Sequence, residues 1–368
     1  MARRLQSLGT VTIASSGPRP EGIEWIERLG TPPRRSKELK FRILVEAAFR
    51  RPRVTQRDMA RFDPIVGIDL DSFDLVTVHD LDVLAAVLDA QRSCAVLFDA
   101  RELYPEEQSD RRTFRVLHTR RLRRLCAQLF PLCDAVITVS DGIAARYELM
   151  TGIRPEVVLS AKPVLPFLPP APRHGQLIRL LYHGGVNADR DITSLIRMAE
   201  LLDDRFRLDM YLVGDPAVIS SLKVASKKSG RSRVMDAVPY DELVELGNQY
   251  DMGLVLYEPR NLNLRHCMPN KLFEYLQSHL AIVCGPLDDA GRLVKSTRSG
   301  IVLETTDIDA VAKSLNRLSR PQIDAMRHFA FEAGRKLNSD SEDVKVCLLA
   351  QRIVAAKHGL STTGGVAV

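Results

Sequence analysis

One short stretch of the chain combines a helix start suited to anions with paired charges. The run Met268-Pro269-Asn270-Lys271-Leu272-Phe273-Glu274-Tyr275 reads as a loop that opens a helix, with Lys271 and Glu274 one turn apart. Proline suits a helix start because its missing N–H costs nothing there, and the free N–H groups of the first turn attract anions. The segment therefore predicts a site that holds a phosphate and a neighbouring hydroxyl group together.

Further polar positions follow predicted strands in both halves of the chain. Gly184-Gly185 follow one such strand, and Arg190 stands just before a predicted helix. In the first half, His79-Asp80 and Asp99-Ala100-Arg101-Glu102 also come directly after strands. Because ligands bind at the carboxyl ends of parallel strands, all of these are candidate site residues. Two have ordinary alternatives: Asp80 as a helix N-cap and Arg190 as a solvated surface arginine.

These motifs together resemble those of a known protein family. The segment from Met268 to Gly285 resembles the donor-site motif of bacterial retaining nucleotide-sugar glycosyltransferases of the GT-B fold, the group 1 or family 4-like glycosyl transferases. Flanking and distant segments share the resemblance: Arg265-His266, Ser299-Gly300-Ile301-Val302, Tyr182-His183-Gly184-Gly185, Arg190, Leu212-Val213-Gly214, and more loosely Asp99 to Pro105 and Asp134 to Ser140.

The resemblance implies roles for the donor-side residues. Glu274 would accept hydrogen bonds from the donor ribose hydroxyls, while Lys271 and Arg190 would neutralise the diphosphate. These three are the predicted catalytic residues. The predicted donor-binding set is completed by Gly184, Gly185, His266, Asn270 and Val238, the last of them near the nucleotide base. No metal and no cofactor is expected, since the nucleotide sugar is itself a substrate.

Two positions depart from the family pattern. His266 stands where the family often carries the first of two glutamates eight positions apart, which leaves the donor sugar open. Arg101 stands where relatives usually carry a histidine, and an arginine cannot shuttle protons near neutral pH. The predicted acceptor-side set is His79, Asp80, Asp99, Arg101 and Glu102.

Alternating short apolar runs and helical patterns predict an α/β fold, which the resemblance specifies as GT-B: two doubly wound Rossmann-like domains with a cleft between them. We expect an acceptor-side domain over 1–162, a proline-rich linker over 163–176, a donor domain over 177–336, and a helical segment over 337–368 that crosses back to the first domain. The residues after Met1 resemble the end of the family's first helix and its second strand. Truncation, loss of the first strand and simple divergence all stay open as explanations.

Composition narrows the class of partner. The net charge of +6 favours an anionic partner such as a nucleotide or a membrane surface. The basic segment Arg111–Arg124 could dock on anionic lipid, with a solvated helix face as the alternative, and its lack of interleaved aromatics argues against nucleic acid. Six cysteines without a C-x-x-C pair, and no signal peptide or membrane-spanning run, favour a cytoplasmic protein or one peripheral to the membrane.

The sequence thus predicts a metal-independent, retaining hexosyltransferase that moves a sugar from a nucleotide-sugar donor to a hydroxyl acceptor. A lipid-linked acceptor and a role in cell-envelope, exopolysaccharide or glycolipid biosynthesis fit this interpretation. Two alternatives share the fold: a catalytically silent subunit that binds a nucleotide sugar, and a nucleotide-sugar epimerase. In this interpretation, the side chains of Glu274 and Lys271 are both exposed in the cleft.

Overall fold

The computed structural model describes residues 1–14, 24–26, 68–90, 92–166, 169–173, 175–186 and 191–359. The chain divides into two compact units. The first comprises Met1–Leu159, the short segment Asn261–Asn263, and the chain from Glu342 onward. The second comprises Ser160–Arg260 and Leu264–Ser341. Arg190 lies outside the described residues.

Within the described residues, the first unit contains two parallel sheets. Strands β1 (Thr12–Ala14) and β2 (Glu24–Ile26) pair with each other. A second sheet of four strands runs in chain order through β3 (Leu75–Val78), β4 (Ala95–Asp99), β5 (Ala135–Thr138) and β6 (Glu156–Val157). The described part of the first unit also contains helices α1 (Ala2–Leu5), α2 (Leu81–Asp89), α3 (Arg112–Phe114), α4 (Arg120–Leu129) and α5 (Asp141–Thr151).

The C-terminal helix supplies part of the core of this unit. Helix α14 (Ser339–Lys357) buries Val346, Leu349, Ala350 and Ile353 against apolar residues of β4 and β5. Glu342, on the same helix, accepts a hydrogen bond from the Leu159 N–H at 2.8 Å. Helix α14 therefore stabilises the unit through both apolar packing and a buried polar contact.

The basic segment differs in one respect from the sequence-based expectation. Between α3 and α4 the chain forms a π-helical segment, Arg115–Thr119, which shifts the helical register by one residue. Arg121 is consequently buried rather than outward, and Arg123 pairs with Glu106. Leu125 and Leu129 are buried as expected, whereas Phe114, Leu117 and Leu122 are half-buried. The exposed arginines of the segment are Arg111, Arg112, Arg115, Arg120 and Arg123.

The described part of the second unit contains one parallel sheet of six strands. They are β7 (Ile178–Gly185), β8 (Phe206–Val213), β9 (Ser232–Met235), β10 (Met252–Val255), β11 (Ala281–Cys284) and β12 (Gly300–Val302). The spatial order is β9-β8-β7-β10-β11-β12. The strands are nearly continuous apolar runs because helices cover both faces. Strand β7 extends to Gly185, so the glycine pair forms the end of the strand and does not follow it as the sequence predicts.

Helices connect these strands and close the core. They are α6 (Ile192–Leu201), α7 (Pro216–Ser229), α8 (Leu243–Gly247), α9 (Leu262–His266), α10 (Asn270–Gln277), α11 (Asp288–Thr297), α12 (Ile308–Asn316) and α13 (Arg320–Lys336). The first two residues of α9 belong to the first unit. The sequence patterns did not predict β9, α9, α11 or α13. Among the residues that the structure describes, no helix is both long enough and apolar enough to cross a membrane.

Candidate functional site

The second unit presents a ligand-binding position defined by its topology. The strand order reverses direction between β7 and β10, where the chain leaves one side of the sheet and continues on the other. In sheets of this kind, ligands bind outside the carboxyl ends of the two strands that flank the switch. His183 and Gly184-Gly185 lie at the carboxyl end of β7, and α10 follows β10 in the chain after the short helix α9.

Helix α10 starts at Asn270 and is held against the sheet by an aromatic ring. Pro269, the residue before it, has no side chain that can cap the first N–H groups, which leaves them suited to an anion. Tyr275 lies over Gly253 of β10, and a Cβ atom at that glycine would come within 2.4 Å of the ring. The Tyr275 hydroxyl donates to the Leu181 carbonyl at 3.3 Å. Gly253 therefore permits the close approach that fixes α10.

Glu274 is the most unusual charged group of this helix. Its side chain is 4% exposed, with Oε1 3.2 Å from Lys162 Nζ and Oε2 3.3 Å from His183 Nε2. Burial raises the pKa of the Glu274 carboxyl, and the neighbouring ammonium groups of Lys162 and Lys271 offset this rise in part. The expectation that Glu274 is exposed is wrong, because α10 packs tightly against β10 and turns this face inward.

Lys271 is buried as well, which again differs from the expectation of an exposed lysine. Its ammonium lies 3.9 Å from the centroid of the Tyr182 ring and 5.2 Å from that of Tyr257. A desolvated cation over aromatic faces gains about 2 kcal/mol, which offsets part of the cost of its burial. The two rings hold the charge of Lys271 in place one helical turn from Glu274.

This cluster has the chemistry to bind a polyol phosphate. Two ammonium groups, from Lys162 and Lys271, face the carboxylate of Glu274 within one largely buried site. An ionised carboxylate accepts hydrogen bonds from hydroxyl groups, and lysine ammonium groups neutralise a phosphate. A ligand that carries both an anionic group and hydroxyl groups would match these side chains.

The other predicted donor-side residues have varied surroundings. His266 is buried, and its Nδ1 lies 2.8 Å from Asp289 Oδ2 on α11, so this histidine is held by a carboxylate of its own. Asn270 is exposed at the first position of α10, and Val238 is half-buried in the loop after β9. Gly184 adopts a φ of 145°, a conformation that side-chain-bearing residues rarely take.

The first unit brings together three of its predicted residues. Asp99, the last residue of β4, is buried, and its Oδ2 lies 3.0 Å from His79 Nδ1 and accepts from Arg101 Nε at 2.9 Å. Burial alone would raise the pKa of Asp99, but the hydrogen bond from His79 and the charge of Arg101 outweigh it, so the pKa is lowered. The side chains of His79 and Arg101 are 43% and 52% exposed. One buried carboxylate thus orients a histidine and an arginine toward solvent.

Asp80 and Glu102 make contacts of a different kind. Asp80 is the N-cap of α2, where its carboxylate accepts from the Asp82 N–H at 2.8 Å. Glu102 accepts from Asn263 Nδ2 at 2.6 Å, and Asn263 in turn accepts from the Leu103 N–H at 2.7 Å. These hydrogen bonds connect the loop after β4 to Asn263, a residue distant in sequence.

Sequence reasoning missed several members of the second-unit cluster. His183 was recognised within a motif but not as a site residue, although its position at the end of a buried strand gave a signal. Lys162 is the last residue of the predicted acceptor-side range 1–162, directly before the proline-rich linker, and nothing local indicates that it reaches Glu274. In the part of the chain that is described, no group of three or more His, Cys, Asp or Glu side chains has an arrangement that could hold a metal ion.

Comparisons with known proteins bear on the fold. No family model matches the chain, and no curated protein sequence matches it significantly. Solved structures do match. Sucrose-phosphate synthase from Thermosynechococcus elongatus aligns with a TM-score of 0.68 at 14% identity, over 96% of this chain and 92% of that one.

Two further structures are similar over a smaller share of the chain. An α,α-trehalose-6-phosphate synthase from Burkholderia multivorans aligns with a TM-score of 0.59 at 12% identity, over 82% of this chain and 76% of that one. A structure from E. coli, described as trehalose-6-phosphate bound with UDP-2-fluoro glucose, aligns with a TM-score of 0.56 at 13% identity, over 80% and 77%. The chain is α/β and has the GT-B fold that these glycosyltransferase structures share.

Proposed function

We propose that this chain is a glycosyltransferase that moves a hexosyl group from a nucleotide-sugar donor to a hydroxyl acceptor with retention of configuration. The observation that carries the proposal is the cluster of Glu274, Lys271 and His183 at the topological switch point of the second unit. The shared fold supports it: one similar structure is named a sucrose-phosphate synthase, and another is described as bound with UDP-2-fluoro glucose.

In this proposal the second unit is the donor domain. Glu274 accepts hydrogen bonds from the ribose hydroxyls, while Lys271, Arg190 and the N–H groups at the start of α10 hold the diphosphate. As the bond between the anomeric carbon and the phosphate oxygen breaks, negative charge develops on the leaving diphosphate. Fixed cations stabilise that charge, so no metal ion is required for the transfer.

The first unit is proposed as the acceptor side. Its cluster of His79, Asp99 and Arg101 offers an oriented imidazole and a guanidinium at the carboxyl ends of β3 and β4. These groups donate or accept hydrogen bonds, which suits an acceptor with several hydroxyl groups. The exposed arginines of the basic segment would bring the protein to an anionic membrane, where a lipid-linked acceptor of envelope or exopolysaccharide synthesis is found. A cytoplasmic location fits this role.

A catalytically silent nucleotide-sugar-binding subunit is the second candidate. Arg101, which pairs with Asp99 where relatives usually carry a histidine, favours it. An epimerase of the same fold is the remaining alternative, and it would require catalytic carboxylates in addition to Glu274.

The experiment is a turnover assay with UDP-, GDP- and ADP-linked hexoses and a panel of hydroxyl acceptors. The proposal predicts release of nucleoside diphosphate that depends on acceptor, together with a glycosylated product. Binding without any release would favour the silent subunit, and formation of an epimer of the donor sugar would favour the epimerase.

A further inference from the structure

Lys162 occupies a distinctive place in the donor-side cluster. Its Nζ lies 3.2 Å from Glu274 Oε1 and 4.2 Å from the centroid of the Tyr240 ring. Its backbone is anchored too, because the Lys162 carbonyl accepts from the Ser339 N–H at 3.0 Å. The side chain is 17% exposed. Lys162 therefore approaches Glu274 from a segment remote from α10 and is held at both ends.

Among the described residues, charged and titratable groups face Glu274 from the segment after β6, from β7 and from α10. Lys162 contacts one carboxylate oxygen, His183 of β7 lies by the other, and Lys271 acts from the helix of Glu274 itself. Burial penalises the ionised carboxylate, and the two ammonium groups oppose that penalty. Lys271 lies against the rings of Tyr182 and Tyr257, and Lys162 makes an ion pair with the carboxylate at 3.2 Å.

The second contact of Lys162 is with Tyr240, next to the loop at which the nucleotide base is expected. Tyr240 is exposed and follows Val238 and Pro239, the loop at which the nucleotide base is expected. Lys162 thus spans the distance between the carboxylate that would bind the ribose and the ring beside the base loop.

We propose that Lys162 is a positioning residue of the donor site, whose ammonium keeps the buried Glu274 carboxylate ionised and aimed at the ribose hydroxyls of the nucleotide. This inference rests on the proposed function of the second unit. Without the ammonium, Glu274 takes up a proton at a higher pH and then accepts hydrogen bonds poorly. Lys162 acts on the nucleotide through Glu274.

The test isolates the ribose contribution to affinity. The intact protein is titrated calorimetrically with UDP, GDP and ADP, each beside its 2′,3′-dideoxy analogue, from about pH 5 to about pH 8.5. The quantity compared is the affinity for each nucleotide divided by the affinity for its dideoxy analogue. Titration of the phosphates affects both affinities alike and therefore cancels in this ratio. Variants are Lys162→Met, Lys162→Gln, Lys162→Arg and Glu274→Gln. Lys223→Met, which removes an exposed lysine paired with Asp236, is the matched control.

For the wild type we expect the ratio to fall as the pH is lowered through the Glu274 pKa. In Lys162→Met and Lys162→Gln the midpoint of this fall moves upward by about one pH unit or more. Lys162→Arg keeps the midpoint at its wild-type pH, and Lys223→Met leaves the midpoint unchanged. Glu274→Gln brings the ratio of the two affinities close to one at every pH. Lys162→Gln keeps a polar end and serves if the methionine variant does not fold.

Two contrary results are distinguishable. A midpoint that stays at the wild-type value in folded Lys162→Met or Lys162→Gln, while Glu274→Gln still abolishes the ratio, would overturn the role of Lys162 and leave the donor site standing. Failure of every nucleotide to bind the folded wild type, or a wild-type ratio in Glu274→Gln, would overturn the donor site and this inference with it.

Discussion

Glu274 and Lys271 are charged side chains that the fold buries one helical turn apart, at a cost that other residues reduce. Burying a charge is unfavourable unless it is paired. Lys162 and His183 lie beside the carboxylate, and two tyrosine rings lie beside the ammonium. Such an arrangement holds charges ready for a ligand, which is typical of binding sites and untypical of a stabilising core.

Lys271→Met tests the charge of this site at the scale of one residue. Methionine fills the space between the rings, so the variant should fold. Loss of a charge-assisted bond to phosphate costs about 1.5–3 kcal/mol, and we expect nucleoside diphosphate to bind roughly 10- to 150-fold more weakly. Calorimetry measures the change, with Lys223→Met as the control. Equal affinities in both variants would remove Lys271 from the site.

Asp99→Asn tests the cluster of the first unit. Because the pKa of Asp99 is lowered in the folded protein, its contribution to stability is present above the unfolded-state pKa of 3.8 and is lost as the pH falls through the folded-state pKa. We expect the variant to lose about 1–3 kcal/mol of unfolding free energy at pH 7 and less in acid. Urea unfolding of the wild type and the variant at pH 7 and in acid measures this difference in unfolding free energy. A deficit independent of pH would contradict the assignment.

Residue types were easier to predict than their surroundings. The sequence identified Glu274, Lys271, His79 and Asp99 as candidates because each follows a strand or opens a helix. It could not identify Lys162 as a partner of Glu274, since that contact joins residues more than a hundred positions apart. Burial of Glu274 was also missed, because it depends on how closely α10 approaches β10.

At the scale of elements, the approach of α10 to the sheet depends on Gly253. Gly253→Ala would place a methyl group against the Tyr275 ring, and overpacking of this kind costs about 1–3 kcal/mol. We also expect weaker nucleotide binding, since α10 carries Lys271 and Glu274. Thermal unfolding and calorimetry measure both effects. Gly9→Ala, with nothing within 4 Å of the added atom, is the control. Unchanged stability and binding in Gly253→Ala would show that the ring is readily displaced.

The basic segment gives a second prediction at this scale. Arg112 and Arg120 are exposed, and each charge near an anionic membrane contributes about 1 kcal/mol. Replacing both by glutamine should weaken the affinity for phosphatidylserine vesicles roughly 30-fold, as measured by cosedimentation. The pair Lys227→Gln and Lys228→Gln, exposed on α7, is the control. Equal losses in the two pairs would indicate general charge attraction and not a docking face.

Elements were predicted well where patterns were local and strong. The strand Ala281–Cys284 and the helix from Asn270 agree with the sequence because a short apolar run and a proline-led helix start are clear signals. Strand β9 was missed since its sequence, Ser-Arg-Val-Met, is an amphipathic edge strand. The π-helical segment Arg115–Thr119 was also missed, because no local residue type marks a register shift of this kind.

At the scale of the whole molecule, nucleotide binding is proposed for the second unit and acceptor binding for the first. His79→Asn should leave nucleotide affinity within about twofold of wild type, since the donor cluster belongs entirely to the second unit. It should lower the rate of sugar transfer by about tenfold or more if the imidazole contacts the acceptor. Calorimetry and the turnover assay separate the two effects. A large loss of nucleotide affinity would contradict this division of labour.

The central claim is that the second unit binds a nucleotide sugar at Lys271 and Glu274. The most direct measurement is a binding screen of the purified full chain against UDP, GDP, ADP and their common sugar conjugates, by thermal shift and then calorimetry. The account predicts specific binding of one nucleotide and its sugar conjugate, which Glu274→Gln and Lys271→Met weaken. No binding of any of them to the folded chain would contradict it.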